Sequence, residues 1–251
     1  LQFLSSYDST LEDITLRLKE QGVTTLRRAG IDNYIHLEGF SVEKIKGDPI
    51  QAEIETQAMG VTHLLERQGK SPEEFLIVSC GGGTSYSLVR GGNVEYLAFL
   101  GDASGGGSIA AHFRWNGLND YGEAVAAAMK GTAPDVLLKD KVKTINPIMG
   151  QLIISCLGKA DAETPLQDWL AGIINKEAVG TAQRVNFLDR MEDYKGIKDV
   201  VFIGGAIAHN HLFREKVTDY TKKIAFMGGR RKKIHIPENG EFSLALGAYL
   251  R

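Results

Sequence analysis

Three times along the chain an apolar run of strand length breaks into small residues and resumes as a hairpin or a helix. The sites are IVSCGGGTS at 77–85, DASGGGSIAAH at 102–112 and VFIGGAIAHN at 201–210. One glycine cluster after a strand is an ordinary tight turn, but three at equivalent strand ends ask for a common reason. At such a turn the chain reverses sharply, often with φ above zero, and a ligand can touch the backbone; glycine meets both demands. Backbone N–H groups in a turn or at a helix start bind anionic oxygens, with some help from the helix dipole. Thr84, Ser85, Ser104 and Ser108 place hydroxyls beside the same turns, suited to phosphate or a hydrated magnesium ion. Neither the Walker A pattern with its lysine nor the dinucleotide fingerprint occurs. The pattern predicts a nucleotide cleft lined by several glycine turns rather than by one P-loop.

Around these sites the segments alternate. STLEDITLRLKEQG reads as a helix with a capping box at Ser9 and Glu12 and a stop at Gly22. VTTLRRAG reads as a short strand. Residues 49–69 carry Ile54, Ala58, Val61, Leu64 and Leu65 at helical spacing and stop at Gly69. FLIVS is a buried strand, and TSYSLVR, GGN and VEYLAFL form a hairpin. Residues 116–195 read as mostly helical. Then KDVVFIGGAIAHN brings back a strand, a glycine pair and a helix start, and KKIHIPENGEFSLALGAYLR closes with strand, turn and helix. The expectation is an α/β protein of two lobes with mixed sheets and flanking helices. The lobes are expected at 1–75 and 76–251, with a helical insertion at about 116–195.

The bulk properties narrow the class. A net charge of −2 offers no electrostatic reason for nucleic acid or a membrane surface. No apolar run approaches the roughly 18 residues of a membrane span, and no secretory leader is visible, so the chain reads as cytosolic. Glycine is abundant at 29 residues while proline is only 6, so the glycines are placed for local geometry rather than for disorder. Cys80 and Cys156 stand apart in apolar runs and read as buried free thiols. The run Arg230-Arg231-Lys232-Lys233 reads as a solvated loop end. His209 and His211 fall at a helix start with no third ligand near, so cap or surface roles are expected.

Several of these stretches resemble the type II pantothenate kinases, eukaryotic-type enzymes included, of the actin–hexokinase–Hsp70 superfamily with its ribonuclease H-like fold. DVVFIGGAIAHNHLFREKVTDYTKKI is similar to the family's adenosine-site strand and helix, and HIPENGEFSLALGAYL to its closing E-x-G-x-F-x-x-A-x-G-A pattern. IVSCGGGTSY resembles its second phosphate loop. GDASGGGSIAAHF resembles the G-T-x-x-G-G-G loop, and LNDYGEAVAAAMKG the aromatic-containing helix after it. QAEIETQAMGV resembles the segment with the catalytic glutamate.

The resemblance implies ATP-dependent phosphorylation of pantothenate to 4'-phosphopantothenate, the first step of coenzyme A biosynthesis. It also implies ATP and Mg2+ as cofactors, a cytoplasmic homodimer, and coenzyme A or an acyl-CoA as a regulator. It makes Glu53 the general base, while Glu55, two residues on, is expected to be solvated. ATP binding falls to Gly82, Gly83, Thr84, Gly105, Gly106, Gly107, Ser108, Ile109, Tyr121, Gly204 and Gly205. Two departures stand out. The family's opening strand with an Asp-x-Gly-Gly-Thr turn has no counterpart, and with Leu1 in place of a methionine the expectation is that this segment is missing. The family arginine that helps hold pantothenate, on the hairpin's return strand, is matched by Ala98, with Arg90 as the one candidate substitute. The alternatives are another small-molecule kinase of the superfamily, or an inactive relative that binds nucleotide or acyl-CoA.

Overall fold

The structure, a computed structural model, describes residues 11–28, 41–44, 48–101 and 105–251. The capping box expected at Ser9 and the hydroxyl of Ser104 lie outside the described residues. The chain divides into two compact units, residues 1–71 together with 242–251, and residues 72–241.

The first unit begins with α1 (Leu11–Glu20), which ends before Gly22 at φ 70°. Strands β1 (Thr25–Arg28) and β2 (Ser41–Lys44) pair in parallel, with Thr25 opposite Ser41. Helix α2 (Pro49–Arg67) starts where local chemistry demands: Asp48 accepts the Gln51 N–H at 2.9 Å, and Pro49 fills the first position, whose N–H would go unpaired anyway. The predicted stripe of Ile54, Ala58, Val61, Leu64 and Leu65 is buried.

The second unit is built on a five-stranded mixed sheet, with β3 (Glu74–Cys80), β4 (Thr84–Arg90) and β5 (Asn93–Tyr96) at its antiparallel side. Gly91 and Gly92, at φ 55° and 80°, make the two-residue turn between β4 and β5. Next come α3 (Gly106–Trp115), α4 (Tyr121–Ala128), β6 (Val136–Leu137), α5 (Pro147–Gly150), β7 (Ile153–Ser155) and α6 (Leu166–Phe187). Strand β8 (Asp199–Ile203) leads to α7 (Gly205–His209) and α8 (His211–Met227), and β9 (Lys233–His235) completes the sheet. The order is β5-β4-β3-β8-β9, with β3, β8 and β9 parallel. Leu76, Val78, Val200 and Phe202 from the sheet share one core with Ile109 and Phe113 of α3, Leu170, Ile174 and Ala178 of α6, and Phe213 and Val217 of α8.

Four expectations need correction. The stretch 116–195 is mostly helical, as expected, but it is not an insertion: β6 and β7 pair within it, and α6 packs Leu170, Ile174 and Ala178 into the unit's core. Helix α6 has apolar residues around most of its circumference, the pattern of a helix covered on several sides. The return strand of the hairpin stops at Tyr96, because Leu97 and Leu100 turn inward to the core through a 3₁₀ turn that starts at Ala98. The basic run is a solvated loop end only in part, with Arg231 and Lys233 exposed but Lys232 buried. Lys232 is 8% exposed, and its ammonium donates to Asp189 Oδ1 at 2.8 Å and to the Ile197 carbonyl at 2.6 Å. Arg230 reaches the same carboxylate at 3.2 Å.

The fourth correction concerns the last helix, α9 (Ser243–Leu250), which belongs with the first unit rather than with the lobe expected at 76–251. It lies backbone to backbone on α2. A Cβ on Gly60 would stand 1.8 Å from the Ser243 carbonyl oxygen, and one on Gly247 would stand 1.7 Å from that of Thr56. Only glycine at both positions allows this approach.

Both cysteines are free; Cys80 is buried as expected, while Cys156 is only half-buried. Burial pushes the Cys80 thiol up to about 12, against a smaller opposing effect of its hydrogen bond with Thr84. We expect iodoacetamide at pH 8 to label Cys80 only as fast as the protein opens, because the thiolate is the reactive form. Labelling at the rate of a free thiol would contradict its burial. The raised value also sets a sign. Between about 9 and 12 the unfolded thiol loses its proton first, so the stability linked to Cys80 is complete below pH 9 and declines as pH rises toward 12.

Candidate nucleotide site

Strands β3 and β8 are parallel neighbours in register, with Ser79 opposite Ile203, so their carboxyl ends finish side by side. In open α/β sheets this is the edge where ligands bind. The loop after β3 is Gly81–Gly83, and the loop after β8 is Gly204 leading into α7. The start of α3 joins them: the N–H groups of Gly106 and Gly107 donate to the carbonyls of Gly81 and Gly82, both at 2.9 Å. A Cβ on Gly106 would lie 2.7 Å from the Gly81 oxygen and 3.3 Å from Ala206 Cβ. One on Gly204, at φ 97°, would lie 2.5 Å from the Cys80 oxygen. All three glycine clusters therefore meet within the second unit, as the sequence pattern predicted.

Their roles differ from one another. Gly82 and Gly83 are exposed, and among the described residues their N–H groups have no partner, so they are the donors left for an anion. The amides of Gly106 and Gly107 are spent on closing one loop against the other. Gly105, at φ 138°, caps α3 with its Cβ position 3.0 Å from Thr84 Oγ1. Thr84 is buried, with its hydroxyl on the Cys80 sulfur, so it serves the turn. The Ser108 hydroxyl donates to the buried carboxylate of Glu177 at 3.1 Å. Ile109 is fully buried in the core and presents no side chain to a ligand. Gly204 and Gly205 are half-buried at the start of α7.

Tyr121 begins α4, packs on Phe113 with ring centroids 5.5 Å apart, and accepts a hydrogen bond from Asn210 at 3.0 Å. Asn210, fully buried, caps α8 by accepting the Phe213 N–H at 2.9 Å. Tyr121 is thus tied to the segment that follows the third glycine loop. His209 ends α7 and His211 opens α8, where His211 Nδ1 contacts Arg214 at 2.6 Å. Among the described residues no group of three or more His, Cys, Asp or Glu side chains could hold a metal ion.

Arg90 cannot stand in for a substrate-binding arginine at these loops. It lies at the far end of β4 from Thr84, six residues or roughly 20 Å away. There it pairs with Glu74 and donates to the Asp193 carbonyl at 3.0 Å. Ala98 is exposed on the 3₁₀ turn rather than on a strand. In the first unit Glu53 is half-buried on the second turn of α2, not at its opening, because Asp48 starts the helix earlier. Glu55 is not simply solvated; it is ion-paired with Arg251 at 2.8 Å. A cavity of about 390 Å³ elsewhere in the second unit is walled by Leu152, Ile153, Phe187 and Ile224, with no part of the glycine loops.

No protein-family model matches the chain. A type II pantothenate kinase from Staphylococcus epidermidis is 29% identical over 240 residues, covering 92% of this chain and 84% of the relative. One from Staphylococcus haemolyticus is 28% identical over 219 residues, covering 84% and 78%. The chain is similar to type II pantothenate kinases over most of its length. Among solved structures, the ROK hexokinase of Thermus thermophilus superposes with a TM-score of 0.51 at 15% identity, covering 84% of this chain and 66% of that one. This superposition supports the fold alone, the α/β fold of a hexokinase-type kinase.

The loop geometry makes a direct expectation. In Gly107→Ala the new methyl would meet the Gly82 carbonyl oxygen at 2.6 Å. Overpacking of this kind costs roughly 1–3 kcal/mol. If that strain falls on the loop, ATP binds roughly 5- to 150-fold more weakly while the melting temperature changes little. Calorimetry checks this; unchanged affinity would remove the loop from nucleotide binding.

Proposed function

We propose that this protein transfers the γ-phosphoryl group of ATP to pantothenate, giving 4'-phosphopantothenate and ADP at the first step of coenzyme A biosynthesis. The observation that carries the reading is the meeting of three glycine loops at the carboxyl ends of β3 and β8, in a chain similar over most of its length to type II pantothenate kinases. In this reading the phosphates lie against the free amides of Gly82 and Gly83, and the adenosine lies by Gly204 and Tyr121. Glu53 receives the proton of the acceptor hydroxyl as its oxygen bonds to the γ-phosphorus and ADP leaves. Magnesium would neutralise charge on the triphosphate. The described residues offer no cage for it, so it would arrive on the nucleotide's own oxygens.

The test is a coupled assay for ADP with product detection by mass spectrometry, using pantothenate against a panel of sugars and other primary alcohols. Turnover of pantothenate above the rest is the expected result. The exposed Ala98, where the family carries an arginine, favours a second reading in which the acceptor is a different alcohol; turnover confined to a sugar would select it. ATP binding without turnover of any acceptor would select the inactive relative. Exposed Ile148, Met149, Ile154 and Phe187, within 116–195, support a homodimer as the working assembly. A monomeric mass by light scattering at micromolar concentration would overturn that assembly. Coenzyme A or an acyl-CoA is the regulator this reading expects, with inhibition of turnover as its test.

A further inference from the structure

Arg251 follows α9 and reaches α2 with both Nη atoms of its guanidinium. Nη1 donates to the Ala52 carbonyl at 3.1 Å and to Thr56 Oγ1 at 2.9 Å, and Nη2 pairs with Glu55 Oε2 at 2.8 Å. These acceptors bracket Glu53 on both sides along one helical turn. A cation this close to a helix N-terminus gains nothing from the dipole, which favours anions there. Its placement therefore needs the specific acceptors it finds. Thr56 is fully buried, and its carbonyl is the atom that Gly247 approaches most closely. The fork and the glycine contact thus grip the same turn. Arginine suits this task because its planar donors are held in one rigid arrangement, unlike a lysine ammonium.

We infer that Arg251 is a positioning residue for phosphoryl transfer, holding the turn of α2 that carries Glu53; this rests on Glu53 being the base. A base acts only within hydrogen-bond reach of the proton it takes, and an error of about 1 Å costs on the order of 100-fold in rate. The fork restrains the backbone beneath Glu53.

The test is a double-mutant cycle in the full-length protein. Arg251→Ala is expected to lower kcat on the order of 10- to 100-fold with the KM for ATP unchanged. Arg251→Lys, which keeps the charge and one hydrogen bond, should recover part of the loss, and it serves if the alanine variant does not fold. In a Glu53→Gln background Arg251→Ala should cost nothing further. A normal loss in Glu53→Gln, with the same Arg251→Ala loss in both backgrounds, would overturn this inference alone. So would an unchanged kcat in Arg251→Ala. Full turnover in Glu53→Gln would remove the base itself, and the inference with it.

Discussion

Glu53→Gln is expected to lower turnover with pantothenate on the order of 10²–10⁴-fold, the usual range when a general base is lost. The amide keeps the shape of the side chain but cannot accept a proton. ATP affinity should hold within about twofold, because the donors left for an anion are the Gly82 and Gly83 amides rather than this carboxylate. The helix should also hold, since its N-terminus is secured by Asp48 and Pro49. Steady-state kinetics and calorimetry on the same preparation separate the two effects. Turnover equal to that of the unchanged protein would show that Glu53 is not the base. A matching loss of ATP affinity would move its role from chemistry to binding.

Asp189→Ala is expected to destabilise the second unit strongly. It would leave Lys232 buried with only the Ile197 carbonyl, and would strip Arg230 of the carboxylate at 3.2 Å. Removing one partner of a buried pair costs about 3–5 kcal/mol, because the remaining charge stays out of water. For a chain of this size that is a fall of roughly 6–20 °C in melting temperature. The double change Asp189→Leu with Lys232→Met removes both charges and should recover most of the loss. Arg230, about one-third exposed, can turn to solvent in that background. Thermal unfolding of the two variants decides it: equal losses would mean that the stranded cation is not the cause.

Much of this protein follows from local sequence alone. Asp48-Pro49 and Gly69 delimit α2 because a cap and a stop act within a few residues. The runs FLIVS and VVFI become adjacent buried strands because continuous apolar residues with no polar face must be covered on both sides. The glycine clusters come together at their ends. Tertiary structure decided what depends on partners distant in sequence. Lys232 reads as solvent-facing until Asp189, 43 residues earlier, lies against it. Ser108 and Thr84 read as ligand hydroxyls until Glu177 and Cys80 engage them. Gly106 and Gly107 read as phosphate donors, but the loop beside them supplies carbonyls for those N–H groups first. The last helix belongs with α2 because two glycines, 187 positions apart, permit a backbone approach that no periodicity encodes. Periodicity and caps are short-range properties of a chain, whereas the pairing of a buried charge or amide is settled only by whichever distant group packing brings within 3 Å.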